Sequence, residues 1–224
     1  MPDFDQQRPS SSGEKLLASD QSTYHTRTMS PQVYELFVLG ELMVQPVYGS
    51  ILHVIAQRIL GPWRPLSWGM LSPLIRRLEQ EELIASVVEQ RQEGVARASR
   101  GQPPRIYSIT PAGRERFLAL MLTPSTYSRE TREVFVIKLS KSQFLTLAQQ
   151  MNVLAWYRGY LTDLHSYHQS EQSELLHAAY IPEEERPGIL RAIDFQLHTL
   201  DAELAWLDSL LPTLQEAKEQ HTQE

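Results

Sequence analysis

Between residues 190 and 214 the chain sets an apolar side chain at alternating intervals of three and four: Leu190, Ile193, Leu197, Leu200, Leu204, Leu207, Leu211 and Leu214. A strand cannot use this spacing, because its faces repeat every two residues. A helix turns it into one unbroken stripe, the seam of a coiled coil. The stripe therefore demands a long helix with a second apolar surface lying along it. Pro212 is expected to kink or end that helix. Upstream, Ser140 and Gln143 stand at capping-box spacing. Phe144, Leu147, Met151, Leu154, Arg158, Leu161, His165 and His168 then alternate by threes and fours. Pro182 and Pro187-Gly188 divide the two helical stretches.

The first half reads differently. Residues 1–29 lack apolar periodicity, include Ser10-Ser11-Ser12-Gly13, and read as a disordered tail. Ser30-Pro31 gives an N-cap followed by a proline at the first helical position, predicting a helix over about 31–43. Ser50 is placed to cap a second helix, with Ile51, Leu52, Ile55 and Ile59 as its apolar face and Gly61-Pro62 as its stop. Ser67 opens a third. Its buried stripe is Leu71, Leu74, Ile75 and Leu78, and its opposite stripe is Gly69, Ser72, Pro73, Arg76 and Gln80. Leu83 to Val88 reads as a strand, 90–104 as a long polar loop, and Arg105 to Ile109 as the returning strand. Thr110-Pro111 starts a fourth helix carrying Phe117, Leu120 and Met121.

Pro73 breaks a helix rule, since it lacks an N–H and crowds the carbonyl four residues back. That residue is Gly69, the least obstructive neighbour. A rule broken with a visible accommodation is typical of a functional site.

Composition removes several classes of function. The chain is 42% hydrophobic and 21% charged, which suits a globular protein. No stretch approaches the ~20 apolar residues of a membrane span. The start lacks the pattern of a secretory signal, so a cytoplasmic protein without membrane attachment is expected. There is no cysteine, which excludes disulfides and thiolate chemistry. No phosphate-binding glycine loop, nucleophile elbow or H-E-x-x-H is present, so no enzyme activity and no cofactor are expected. His165 and His168, with Asp163 and Glu171 nearby, do not dictate a metal site. Net charge is -6, yet residues 91–116 carry six arginines against Glu93 and Glu115. Local field rather than net charge decides whether a surface attracts phosphate.

Three helices, a two-stranded ribbon with a basic loop and a further helix follow the order of a winged helix-turn-helix. Tyr34 to Leu42, Tyr48-Gly49, Ser67-x-Gly69-x-Leu71-x-Pro73, Leu74 to Leu83 and Arg105 to Gly113 resemble the PadR family of bacterial transcriptional regulators. The nearest stretches are Leu74-Ile75-Arg76-Arg77-Leu78-Glu79 and Ile106-Tyr107-Ser108-Ile109-Thr110-Pro111-Ala112-Gly113. The chain departs from the family at Ser72, where a tyrosine is usual, and at Glu82, where a glycine commonly precedes the first wing strand.

The resemblance implies a mainly α fold, with a winged helix over 30–123 and a helical dimerisation and effector domain over 124–224. It implies a homodimer on double-stranded DNA, commonly a repressor released by a small aromatic effector. DNA would meet Tyr48, Ser67, Trp68, Gly69, Ser72, Pro73 and Arg76, with Arg91, Arg97, Arg100 and Arg105 on or beside the wing. Arg77 lies 100° round the helix from Arg76 and is expected to pair with Glu81. The seam of Leu190, Ile193, Leu197, Leu200, Leu204, Leu207 and Leu211 would join the subunits. Trp156, Tyr160 and His165 are the candidate effector residues. Two rivals stay open: a protein-interaction scaffold built on the same elements, and a ligand-independent activator.

Overall fold

The computed structural model describes residues 30–61, 67–88 and 105–222, without the side chains of 68, 88 and 215–222. Helices α1 (Pro31–Val44), α2 (Gly49–Leu60) and α3 (Trp68–Gln80) come first, with the short strand β1 (Val47–Tyr48) between α1 and α2. Strands β2 (Ile84–Val88) and β3 (Arg105–Ile109) follow, then α4 (Pro111–Leu122), α5 (Thr131–Ser140), α6 (Leu147–His177) and α7 (Arg186–Thr222). The fold is mainly α with a winged-helix order. The tail over 1–29 and the loop carrying Arg91, Arg97 and Arg100 lie outside the described residues.

The ribbon has three strands rather than two. Antiparallel β3 lies between β1 and β2, pairing Val47 with Tyr107 on one side and Ser86 with Tyr107 on the other. Two residues are too short a run to show strand periodicity, so β1 carries no sequence signal. It also moves the start of α2: Tyr48 occupies the N-cap position and Ser50 lies inside the helix, not at its cap.

α3 ends on a Schellman turn. The Leu83 N–H donates to the Leu78 carbonyl at 2.9 Å and the Glu82 N–H to the Glu79 carbonyl at 3.1 Å. This turn puts Glu82 at φ +56°, in the left-handed region. A non-glycine residue there carries a penalty of roughly 1–2 kcal/mol, of which glycine's extra freedom in the unfolded chain takes back about 0.5–1. Glu82→Gly is thus expected to stabilise the protein by about 0.5–1 kcal/mol in denaturant unfolding. A loss of stability would show that Glu82 makes a compensating contact.

The capping box stands at Thr146 and Gln149, not at Ser140 and Gln143. Ser140 ends α5 and its hydroxyl donates back to the Ile137 carbonyl at 2.8 Å. α7 runs on through Pro212 to Thr222 rather than stopping there. Leu210, Leu211 and Leu214 hold it against the core on both sides of the proline.

Much of the leucine seam meets a surface of its own chain. α7 packs along α6 of the same chain. Leu200 and Leu207 are fully enclosed and Leu197 is buried, while Leu190, Ile193, Leu204 and Leu211 are half-buried. α6 thus supplies within the chain the apolar surface that the centre of the seam demands, while Leu190 and Ile193 stay partly exposed. The core does not divide at residue 123. Phe37 and Phe117 from the first half share one buried cluster with Phe135, Ile137, Leu161 and Leu200, and α5 packs on α1 and α2.

Candidate nucleic-acid interface

α3 separates its two faces cleanly. Leu71 and Leu78 are fully buried, and Leu74 and Ile75 nearly so. On the other side Ser67, Gly69, Pro73, Arg76 and Gln80 are exposed and Ser72 is half-exposed. The helix stays unbroken through Pro73. Among the described residues, a Cβ on Gly69 would meet only the Ser67 Oγ, at 3.8 Å. An α-helix is about 10–12 Å across and the B-DNA major groove about 12 Å wide. An edge of glycine, serine and proline lets such a helix approach closely, and a guanidinium at its centre can reach a base edge or a phosphate.

The two adjacent arginines of α3 have different surroundings. The Arg77 guanidinium donates to Glu35 of α1 at 2.6 Å and lies 4.0 Å from Glu81. Its main partner is therefore 42 residues away rather than the expected i+4 neighbour. Glu35 is 2% exposed and receives a second guanidinium, Arg116 of α4, at 2.6 Å. One buried carboxylate thus joins α1, α3 and α4 and fixes the roll of α3. Arg76 forms no ion pair among the described residues and projects into solvent.

Glu79 fixes α3 against the ribbon. It accepts the Ser86 hydroxyl proton from β2 and lies 4.0 Å from Arg105 at the start of β3. Arg105 is therefore beside a carboxylate, although its side chain is half-exposed. Burial first, and Glu79 second, raise the Tyr107 phenol above its ordinary pKa. Tyr48, paired with Ile106, lies on β1 at the start of α2. Trp68 is the first residue of α3.

The three candidate effector residues have different surroundings. Trp156 lines a cavity of about 340 Å³ with Met121, Leu122, Lys138, Asn152 and Val153. Its indole N–H donates to the Ser125 carbonyl at 3.1 Å. Tyr160 instead packs against Tyr127 and Tyr157, and His165 stands 3.1 Å from Asp201 of α7. Sequence reading passed over Lys138, which is 3% exposed. Its ammonium donates to the Thr123 carbonyl at 3.0 Å and lies 4.9 Å above the Trp156 ring. Burial lowers its pKa from 10.5 to about 8. No helix among the described residues is long and apolar enough to cross a membrane.

No protein-family model matches the sequence. No curated protein matches it either. Among solved structures, the chain is similar to Bacillus subtilis PadR in complex with operator DNA, at 16% identity and TM-score 0.36, covering 81% of this chain and 99% of that one. A PadR-like transcriptional regulator from Bacillus cereus gives 20% identity and TM-score 0.34, covering 83% and 97%. The circadian clock associated protein Pex from Anabaena gives 22% identity and TM-score 0.34, covering 42% and 75%.

Proposed function

We propose that this chain is a sequence-specific DNA-binding transcriptional regulator. In this reading it is a repressor that holds an inverted-repeat operator as a homodimer and lets go on meeting a small aromatic effector, phenolic acids being the first compounds to test. One observation carries the reading. α3 turns Leu71, Leu74, Ile75 and Leu78 inward and presents a polar edge centred on Arg76, a guanidinium without an ion pair among the described residues. A helix that served only as scaffold would have no need of a proline and a glycine on its outer face.

In the proposed complex Ser67, Gly69, Ser72, Pro73 and Arg76 enter the major groove. Tyr48 meets the backbone, and Arg91, Arg97 and Arg100 add phosphate contacts from the wing. Since Leu200 and Leu207 are enclosed within the chain, the subunits pair through the open end of the seam at Leu190 and Ile193 and through other surface of α6 and α7. Phe195, 67% exposed and on the side of α7 opposite the seam, is the first candidate.

The test is a mobility-shift titration on the DNA upstream of this gene at stepped salt, followed by footprinting. The expected result is binding that weakens steeply as salt rises and protects two half-sites spaced by one or more turns of about 10 base pairs. Absence of binding even at low salt would overturn the regulator and select the protein-interaction scaffold.

A further inference from the structure

We propose that Glu35 is a positioning residue for DNA recognition: its buried carboxylate withholds Arg77 from the duplex, so that α3 meets DNA with a reading edge rather than with undirected positive charge. This deepens the function proposed above and rests on it. Glu35 is 2% exposed, on a helix buried from Val33 to Leu42, with Val33, Leu36, Phe37 and Val38 beside it in the chain. Taking a carboxylate out of water is costly unless it is paired. Clusters of buried ions can often be replaced by well-packed apolar residues at no loss of stability, or with a gain. Stability alone therefore does not account for an acid at this position.

Its partners show what it does. Arg77 of α3 and Arg116 of α4 donate to it at 2.6 Å each, one to each carboxylate oxygen. Two guanidiniums on one carboxylate leave the cluster with a net positive charge. Neither guanidinium is sealed in, since their side chains are 41% and 45% exposed. Arg77 also stands at the border of the polar edge of α3. Its helical neighbours four residues back and three residues on are Pro73 and Gln80, both exposed and both on that edge. Released from Glu35, the Arg77 side chain reaches the surface that carries Arg76.

A second carboxylate acts alongside it. Glu79 of α3 lies 4.0 Å from Arg105. Arg77, Arg105 and Arg116 thus each face a carboxylate, while Arg76 forms no ion pair among the described residues. A guanidinium on a phosphate strengthens binding to every sequence alike, whereas one on a base edge strengthens binding to a chosen sequence. An arginine free to find phosphate beside Arg76 would raise binding to non-operator DNA and lower discrimination. Glu35 holds Arg77 against α1, and so denies the duplex that contact while it fixes α3.

The experiment titrates the full chain, at stepped salt, with the footprinted operator and with a scrambled duplex of the same length. Glu35→Gln keeps the shape of the side chain and removes its charge. It is expected to steepen the salt slope on scrambled DNA by about 0.9, the increment for one added phosphate contact, and to tighten that binding about eightfold at about 0.1 M salt. The ratio of operator to scrambled affinity falls with it. Adding Arg77→Gln to Glu35→Gln is expected to return the slope on scrambled DNA to that of the parent. An unchanged slope, an unchanged ratio, or a raised slope that survives the loss of Arg77 overturns the proposal. So does a variant that melts lower and weakens on both duplexes in step, the behaviour of a merely structural residue. Arg77→Gln alone gives a test that holds however Glu35→Gln folds. It is expected to keep the parent's slope on scrambled DNA, and a slope shallower by about 0.9 would place Arg77 on phosphate already and overturn the proposal. A parent chain that binds neither duplex at low salt sinks the regulator and this proposal with it, whereas a parent that prefers its operator while the variants depart from these results sinks this proposal alone.

Discussion

Arg76→Ala is expected to weaken operator binding by about 5- to 150-fold, the equivalent of about 1–3 kcal/mol for a guanidinium bidentate to a base. The fold should not register the change. Arg76 is exposed and holds no ion pair among the described residues, and substitutions at such positions usually stay within about 0.5 kcal/mol. The salt dependence then identifies what it touches. If the guanidinium reads a base, the variant keeps the parent's salt slope and loses discrimination at one position of the operator. If it holds a phosphate, the slope falls by about one and binding weakens alike on all sequences. Arg77, one residue on, is the control, since it is engaged by Glu35 inside the protein. An Arg76→Ala variant that binds its operator as tightly as the parent would remove the outer edge of α3 from the interface, and the proposed function with it.

Periodicity made α3 and α7 legible because each has one face that must leave water. Leu71, Leu74, Ile75 and Leu78 specify the inward face of α3 wherever the rest of the chain goes. The seam of α7 was equally visible, but a stripe states only that a surface is required and not which surface. α6 supplies it, and nothing in the spacing of Leu197, Leu200 and Leu207 distinguishes α6 from a partner subunit. Capping boxes show a similar ambiguity. Ser140 with Gln143 and Thr146 with Gln149 have the same form, and only the end of α5 at Ser140 decides between them.

Long-range polar links left no trace in the sequence. Glu35 reaches Arg77 across 42 residues and Arg116 across 81, so no local window contains either pair. Lys138, in the run Val134-Phe135-Val136-Ile137-Lys138-Leu139, looks like the one solvated residue of an apolar helix. Its burial arises because the segment from Thr123 to Ser125 folds back over α5, held by Lys138 itself and by Trp156. By contrast, Glu82 stood out because the family the chain resembles commonly has glycine at that point, and its φ of +56° is a conformation that glycine adopts more readily.

Gly113→Ala is expected to destabilise the protein by about 1–3 kcal/mol or more, the usual scale of forced overpacking. A Cβ at this position would lie 2.0 Å from the Leu83 carbonyl oxygen and 2.8 Å from Ile109 Cγ1. The first neighbour is backbone and cannot swing aside. It is also already committed: the Thr110 N–H donates to that carbonyl at 3.1 Å, and the Leu83 N–H donates to Leu78 in the turn that ends α3. Thr110 in turn caps α4, its hydroxyl oxygen accepting from the Gly113 N–H at 3.0 Å. The start of α4, the end of α3 and the entry to β2 therefore meet at one point, and a methyl group there must push them apart. Denaturant unfolding should show a lower midpoint with an unchanged slope, as for a loss of stability without a change in the surface exposed. Operator affinity should fall as well, since the displaced turn carries the C-terminal end of α3 with it. Unchanged stability would mean that α4 does not approach Leu83 this closely, and that the wing is held to α3 by some other contact.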